Sequence, residues 1–268
     1  MIRPLAAGVL LCAIPALVSG QWLNYPTAGV PKTPSGLPNL GAPTPRLTDG
    51  KPDFSGVWEI ENTGGCPPNG CADLPLSKEF TNIGARLPGG LPYQPWAADA
   101  VKKRMALYGK DDPVSNCQPA AALRLFTFPQ YRKIVQVPGL MVLLSERDVT
   151  YRQIFTDNRE LPTDPQPSFH GYSSGHWEGD TLVVETNGFR DGMWLDRGGS
   201  PMTDAAKLTE RFRRVNYGNL EIEVTVDDPK AYTEPWTVTL HQFIVLNTDL
   251  LEYFCQENEK DQGHLVGK

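Results

Sequence analysis

The sequence predicts an all-β protein: one mostly antiparallel β-barrel, with a proline-rich N-terminal arm and a single lid helix. Three observations carry this. From residue 123 onward, short runs rich in β-branched and aromatic residues recur between turn residues such as Pro138-Gly139, Gly179-Asp180 and Tyr217-Gly218-Asn219. The chain holds 25 glycines and 25 prolines, a turn-rich composition that disfavours a helical fold. Helical spacing is convincing in one stretch, residues 94–107, where Pro95 stands at the start and Trp96, Val101, Met105 and Tyr108 recur.

Taken in order, Met1-Ile2-Arg3 is followed by an apolar run from Leu5 to Val18 and by the small residues Ser19 and Gly20. This is the pattern of a secretory signal peptide, with cleavage expected before Gln21. A membrane-spanning helix needs about 20 apolar residues, so no transmembrane segment is expected. Cys12 does not make a lipid-attachment site, because Leu11 before it is too large. Residues 21–52 are rich in Pro, Gly and Thr without apolar periodicity and read as an extended arm. Residues 53–268 then form a single barrel domain.

The first strand, 53–60, places Phe54, Trp58 and Ile60 on one face. Later strands are expected at 123–128, 131–137, 140–146, 149–155, 171–178, 180–186, 206–214, 218–226, 235–245 and 249–255. An up-and-down meander that closes on itself removes the exposed edges a sandwich would have to protect.

Export bears on the cysteines. With Cys12 in the leader, Cys66, Cys71, Cys117 and Cys255 remain, an even set that favours disulfides in an oxidising compartment. Cys66 and Cys71 flank a tight Pro-Pro-Asn-Gly loop, which leaves Cys117 for Cys255, although the spacing permits the other pairings. Zinc is disfavoured, since C-x4-C lacks the usual ligand spacing. The net charge is −6 with scattered basic residues, so no electrostatic footprint for nucleic acid is present.

Two resemblances follow from particular residues. The Gly56-Val57-Trp58 triplet opening a β-meander resembles the start of lipocalins and other calycins. That implies a ligand-holding barrel whose tryptophan lies under an arginine from a late strand, and no late arginine stands out here as its counterpart. The run from Gly175 to Thr186, Trp194-Leu195-Asp196, Thr209-Glu210-Arg211-Phe212 and the terminal Leu-Val-Gly-Lys resemble a family of exported soil-bacterial hypothetical proteins. No activity comes with that likeness.

Residues 169–214 concentrate histidine, tryptophan, carboxylate and arginine between two strands. Parity on 206–214 sets Leu208, Glu210 and Phe212 on one face and Lys207, Thr209, Arg211 and Arg213 on the other. Glu210 is thus a carboxylate among apolar neighbours: either an acid–base group, or half of an ion pair with an arginine such as Arg152 or Arg190. The long connection 187–205 carries Arg190, Asp191, Trp194, Asp196 and Arg197, as a ligand-gripping loop at a barrel mouth would. His170 and His176 would lie roughly 20 Å apart on a continuous extended strand, so a shared metal needs a bend at Gly171 or Gly175. No Gly-x-Ser-x-Gly elbow, Walker loop, dinucleotide fingerprint or His-Glu-x-x-His occurs, which disfavours the common hydrolase and cofactor classes.

The leading expectation is an exported enzyme, periplasmic or extracellular, that uses neither cofactor nor metal. It would perform hydrolysis, elimination or isomerisation on a small organic or sugar-like molecule. Glu210 and Asp191 are the acid–base candidates, with His170 or His176 assisting. Arg190 and Arg211 would hold anions, although parity sets Arg211 opposite Glu210. Trp194, Tyr172 and Asp196 complete the substrate contacts. The alternatives are a non-catalytic carrier of an apolar or aromatic ligand and a structural envelope protein.

Overall fold

Alternation of inward apolar and outward polar residues builds the sheet. The computed structural model describes residues 25–60, 83–84 and 87–255; the expected leader, Cys66, Cys71, His264 and the terminal Leu-Val-Gly-Lys lie outside them. Its strands are β1 (Gly56–Ile60), β2 (Arg132–Val137), β3 (Leu140–Ser145), β4 (Thr150–Phe155), β5 (Tyr172–Glu178) and β6 (Thr181–Asn187). After a two-stranded excursion, β7 (Met193–Trp194) and β8 (Pro201–Met202), come β9 (Lys207–Asn216), β10 (Asn219–Asp227) and β11 (Trp236–Val245). On β9 and β10 the buried residues alternate strictly, Leu208, Glu210, Phe212 and Arg214 against Leu220, Ile222, Val224 and Val226.

Among the described residues nine strands close into a barrel in the order β1-β11-β10-β9-β6-β5-β4-β3-β2. Neighbours in sequence are neighbours in space, with only the β7–β8 excursion set aside. A ring with an odd number of strands cannot be antiparallel throughout, and the exception is β4 beside β5. That parallel pair is in register only at Ile154↔Ser173 and Phe155↔Ser174. The strands are staggered there, so Thr150–Gln153 have no partner strand on that side among the described residues. Residues 156–171 make the return connection that a parallel pair requires.

The barrel has two unlike ends. One is crossed by the arm, whose Leu40 and Ala42 carbonyls accept from Gly218 and Tyr217 at the β9–β10 turn. Arg46 reaches Asp180 at the β5–β6 turn with contacts of 2.8 and 2.6 Å. Beneath the arm, the Trp58 indole donates to the Phe54 carbonyl at 2.9 Å. The Arg214 guanidinium lies 4.9 Å over the Trp58 ring. Arg214 is thus the late-strand arginine for which the sequence showed no counterpart, and it closes the inward series of β9.

The other end carries the long loops and the helices. Helix α1 (Pro95–Ala106) rests on loops rather than on the sheet. Its Gln94 amide donates to the Ala231 carbonyl, and the Arg104 guanidinium sits 4.6 Å over Trp194. Its buried residues are Ala97 and Val101, not the whole expected face. Trp96 stays largely exposed because its indole N–H reaches sideways to the Lys230 carbonyl, at 2.7 Å.

Two expected strands are corrected. Residues 123–128 hold the short helix α2 (Ala122–Leu125) and the turn after it. Leu123, Arg124 and Leu125 are all buried, so the segment has no exposed face to produce alternation. Residues 249–255 form no strand, and among the described residues their one ladder contact is a bridge from Tyr253 to Arg147. They are held instead by the Cys117–Cys255 disulfide, across a sequence separation of 138.

A closure that long restricts the unfolded chain strongly. Reducing Cys117–Cys255 is expected to lower the unfolding free energy by about 4 kcal/mol. Urea titration with and without reductant checks this, and an unchanged midpoint would show that the bond adds no stability.

Candidate functional site

Glu210 points into the barrel and is fully buried. Its partner is Arg152 of β4, which is 1% exposed. Arg152 Nη1 donates to Glu210 Oε1 at 2.8 Å, and Nη2 donates to Oε2. The same guanidinium donates to Ser173 Oγ at 3.1 Å and to Thr186 Oγ1 at 2.8 Å. Ser173 and Thr186 bond each other at 3.0 Å. One cation therefore ties β4, β5, β6 and β9 together inside the barrel. It does so beside the seam where backbone pairing is thinnest.

At the loop end, the unpaired half of β4 and residues 168–173 diverge around a cavity of about 420 Å³. Thr150, Arg152, His170 and Ser173 line its polar side, and Phe155, Phe169 and Tyr172 are the aromatic walls. The Phe155 and Tyr172 rings stack with centroids 5.3 Å apart. Gly171 has φ +66°, and a Cβ there would stand 2.5 Å from the Asn187 carbonyl oxygen. This bend breaks the strand between His170 and β5, so His170 turns toward β4.

His170 Nε2 lies 2.7 Å from Thr150 Oγ1. Its Nδ1 is buried with no partner among the described residues. Burial, and secondarily the Arg152 cation, push the imidazole down to about 4, so the ring is neutral at neutral pH. Because Glu210 compensates Arg152, the cleft offers hydrogen bonds rather than net charge.

Tyr172 shares this cleft with His170. Arg190 and Asp191 line an adjoining hollow of about 410 Å³ that also contains Phe169, over which Arg190 sits at 4.9 Å. The other sequence candidates fall elsewhere. His176 and Arg211 are on the outer face, each paired with Glu178, at 3.5 and 2.8 Å. Trp194 is buried against Arg104. Asp196 is buried and accepts from Ile83 N, Ser200 N and Ser200 Oγ, while burial raises its pKa. Among the described residues no three His, Cys, Asp or Glu side chains converge as metal ligands.

Thr150, Ser173, Phe155 and Phe169 were absent from the sequence candidates. The available signal was parity on β4, where Thr150, Arg152 and Ile154 share a face. A cation on that inward face matches the carboxylate on the inward face of β9.

Two outcomes follow. Glu210→Gln leaves a buried cation without its anion and is expected to cost about 3–5 kcal/mol, whereas Arg152→Met with Glu210→Leu should restore most of that loss. Denaturant titration of the native protein and the two variants reads both. His170 has a folded pKa below its unfolded value of 6.5, so its contribution is present above that pH and is lost as pH falls toward about 4. The native protein should lose roughly 3 kcal/mol more over that interval than His170→Gln, and parallel pH profiles would contradict the assignment.

Comparison with protein-family models finds none that matches the chain, and comparison with curated proteins finds no significant match.

Proposed function

We propose that the cleft beside the β4–β5 seam binds a small, uncharged, ring-shaped organic molecule and that His170 moves a proton on it. The observation that carries this reading is the His170 imidazole itself. It is part-buried, held neutral, fixed through one nitrogen by Thr150, and its other nitrogen is buried without a partner among the described residues. A buried ring nitrogen with no partner is rare in folded proteins and calls for a ligand or a catalytic explanation. The aromatic walls suit a flat ring, and compensation of Arg152 by Glu210 disfavours a charged one.

In this reading Glu210 does not touch substrate; it positions Arg152, whose guanidinium contributes its field at the floor. A neutral imidazole can polarise a carbonyl by donating a hydrogen bond, or accept a proton from an adjacent carbon or hydroxyl. Hydrolysis, elimination and isomerisation of ring compounds all use such a step. Arg190 and Asp191 form the neighbouring rim. Work outside the cytoplasm fits the Cys117–Cys255 disulfide, a bond that persists in oxidising compartments.

A carrier reading has its own support. A base held near 4 is far from the pKa that best serves proton transfer at neutral pH, which favours binding without turnover. The ligand would still occupy the seam cleft, because inward residues such as Trp58, Leu143, Phe212, Ile222 and Leu240 are buried in a common apolar core.

Both readings are tested by screening uncharged aromatic esters, lactones and glycosides for binding by ligand-observed NMR and for turnover. The enzyme reading expects a turned-over hit whose rate falls about 100-fold or more in His170→Gln. Binding should change only a few-fold. Binding without turnover selects the carrier. Turnover that ignores His170→Gln overturns the proton-transfer assignment.

A further inference from the structure

We propose a second site, separate from the seam cleft, that recognises the carboxylate of a small organic acid. It is a cavity of about 380 Å³ at the loop end of the barrel, within the size range of small-molecule sites. Its cationic walls are Arg124, Arg147 and Arg197, and its apolar walls include Val114, Phe128 and Pro129.

The three arginines differ in what already holds them. Arg124 is buried and bound by both Asp112 oxygens, at 2.7 and 2.5 Å, so that pair is neutral and complete. Arg147 is not. Its guanidinium is clamped between Phe128, at 4.3 Å, and Tyr253, at 5.5 Å. Among the described residues its one ion-pair partner is Asp148, at 3.6 Å, and burial raises the pKa of that acid. No hydrogen bond runs from the Arg147 guanidinium to any described residue, although its side chain is 13% exposed and Nε is buried. Arg197 is exposed and forms no ion pair or hydrogen bond with a described residue.

A largely buried guanidinium with no hydrogen-bonded acceptor is costly unless something supplies one. Gln130 also lines the cavity, and its buried Oε1 is an acceptor without a donor among the described residues, which a carboxylate does not satisfy. Against these cations stands Asp196, which lines the cavity but is satisfied by Ile83 and Ser200. The balance left over is cationic.

Geometry selects the anion. Two aromatic rings lie against the Arg147 guanidinium, Nε is buried, and its two terminal Nη groups suit a planar carboxylate taken through two parallel hydrogen bonds. The apolar walls suit an organic body attached to it. The disulfide holds the frame: Cys117 ends the 3₁₀ turn Pro113–Asn116 that forms one wall, and Cys255 lies two residues beyond Tyr253.

Calorimetric titration of the full oxidised chain with benzoate tests the proposal, with benzamide and inorganic phosphate as comparison probes at low salt and neutral pH. Benzoate should bind, benzamide should not, and phosphate should bind more weakly than benzoate. Arg197→Gln should weaken benzoate about tenfold, consistent with loss of one charge-assisted contact. Arg147→Gln should weaken it at least as much, and His170→Gln should leave it unchanged. Arg197 is exposed and bonds no described residue, so its variant folds normally and decides the matter if Arg147→Gln does not fold. Equal binding of benzoate and benzamide, preference for phosphate, or unchanged affinity in Arg197→Gln each overturns the proposal.

Discussion

A guanidinium inside a barrel needs acceptors that an apolar interior does not supply, and Arg152 finds them on β5, β6 and β9. The need arises from topology. An odd ring of strands must contain one parallel pair, and the pair formed here meets over only two register positions. Between β4 and β5 the backbone alone is a weak closure. Arg152 crosses that gap with side-chain bonds and carries its own counter-ion, Glu210, from a strand two positions farther round. Desolvating both charges opposes folding, and the geometry must offset it through several hydrogen bonds at once. The thin backbone seam and the dense polar network are two sides of one arrangement.

The same stagger that thins the seam creates the cleft. Where β4 runs on without a partner, Thr150 and Arg152 face residues 168–173 across open space rather than across a ladder. The opposite end of the barrel is covered instead. There the arm covers the turns, Arg46 grips Asp180, and Arg214 seals Trp58. Rigid packing at one end and long loops at the other divide the barrel into a scaffold and a working face.

Legibility in the sequence followed the length of regular alternation. Strands β9, β10 and β11 span many residues of strict parity, so their bounds and faces could be read directly, including the inward Glu210 and the outward Arg211. The helix at 95–106 was legible from its proline start, but its buried face was not, because it packs on loops whose position no periodicity encodes. Residues 122–126 failed for the opposite reason. They are buried on every side, and a short apolar run does not distinguish helix from strand. Trp194 and Asp196 are polar or aromatic loop residues, the types that suggest a ligand. In the fold they meet Arg104 and Ser200 instead. His170 depended on Gly171, whose positive φ turns the chain out of line; the sequence showed where a bend was possible and not that it occurred.

The arginines of this molecule separate structure from function by their partners. Arg152, Arg124 and Arg214 are each enclosed by acceptors of the chain itself: a carboxylate and two hydroxyls, a bidentate aspartate, and backbone carbonyls. Enclosure of that kind leaves no donor for a ligand, and removal of such a residue acts through stability. Arg147 is enclosed by aromatic rings, which fix its orientation but accept no strong hydrogen bond. His170 stands in the same relation to its surroundings, with one nitrogen fixed and the other unmet. Groups that are oriented but not satisfied are the ones a fold holds ready for something outside the chain. Arg147 and His170 line two different cavities at the same end of the barrel, and that end is where ligands should be sought.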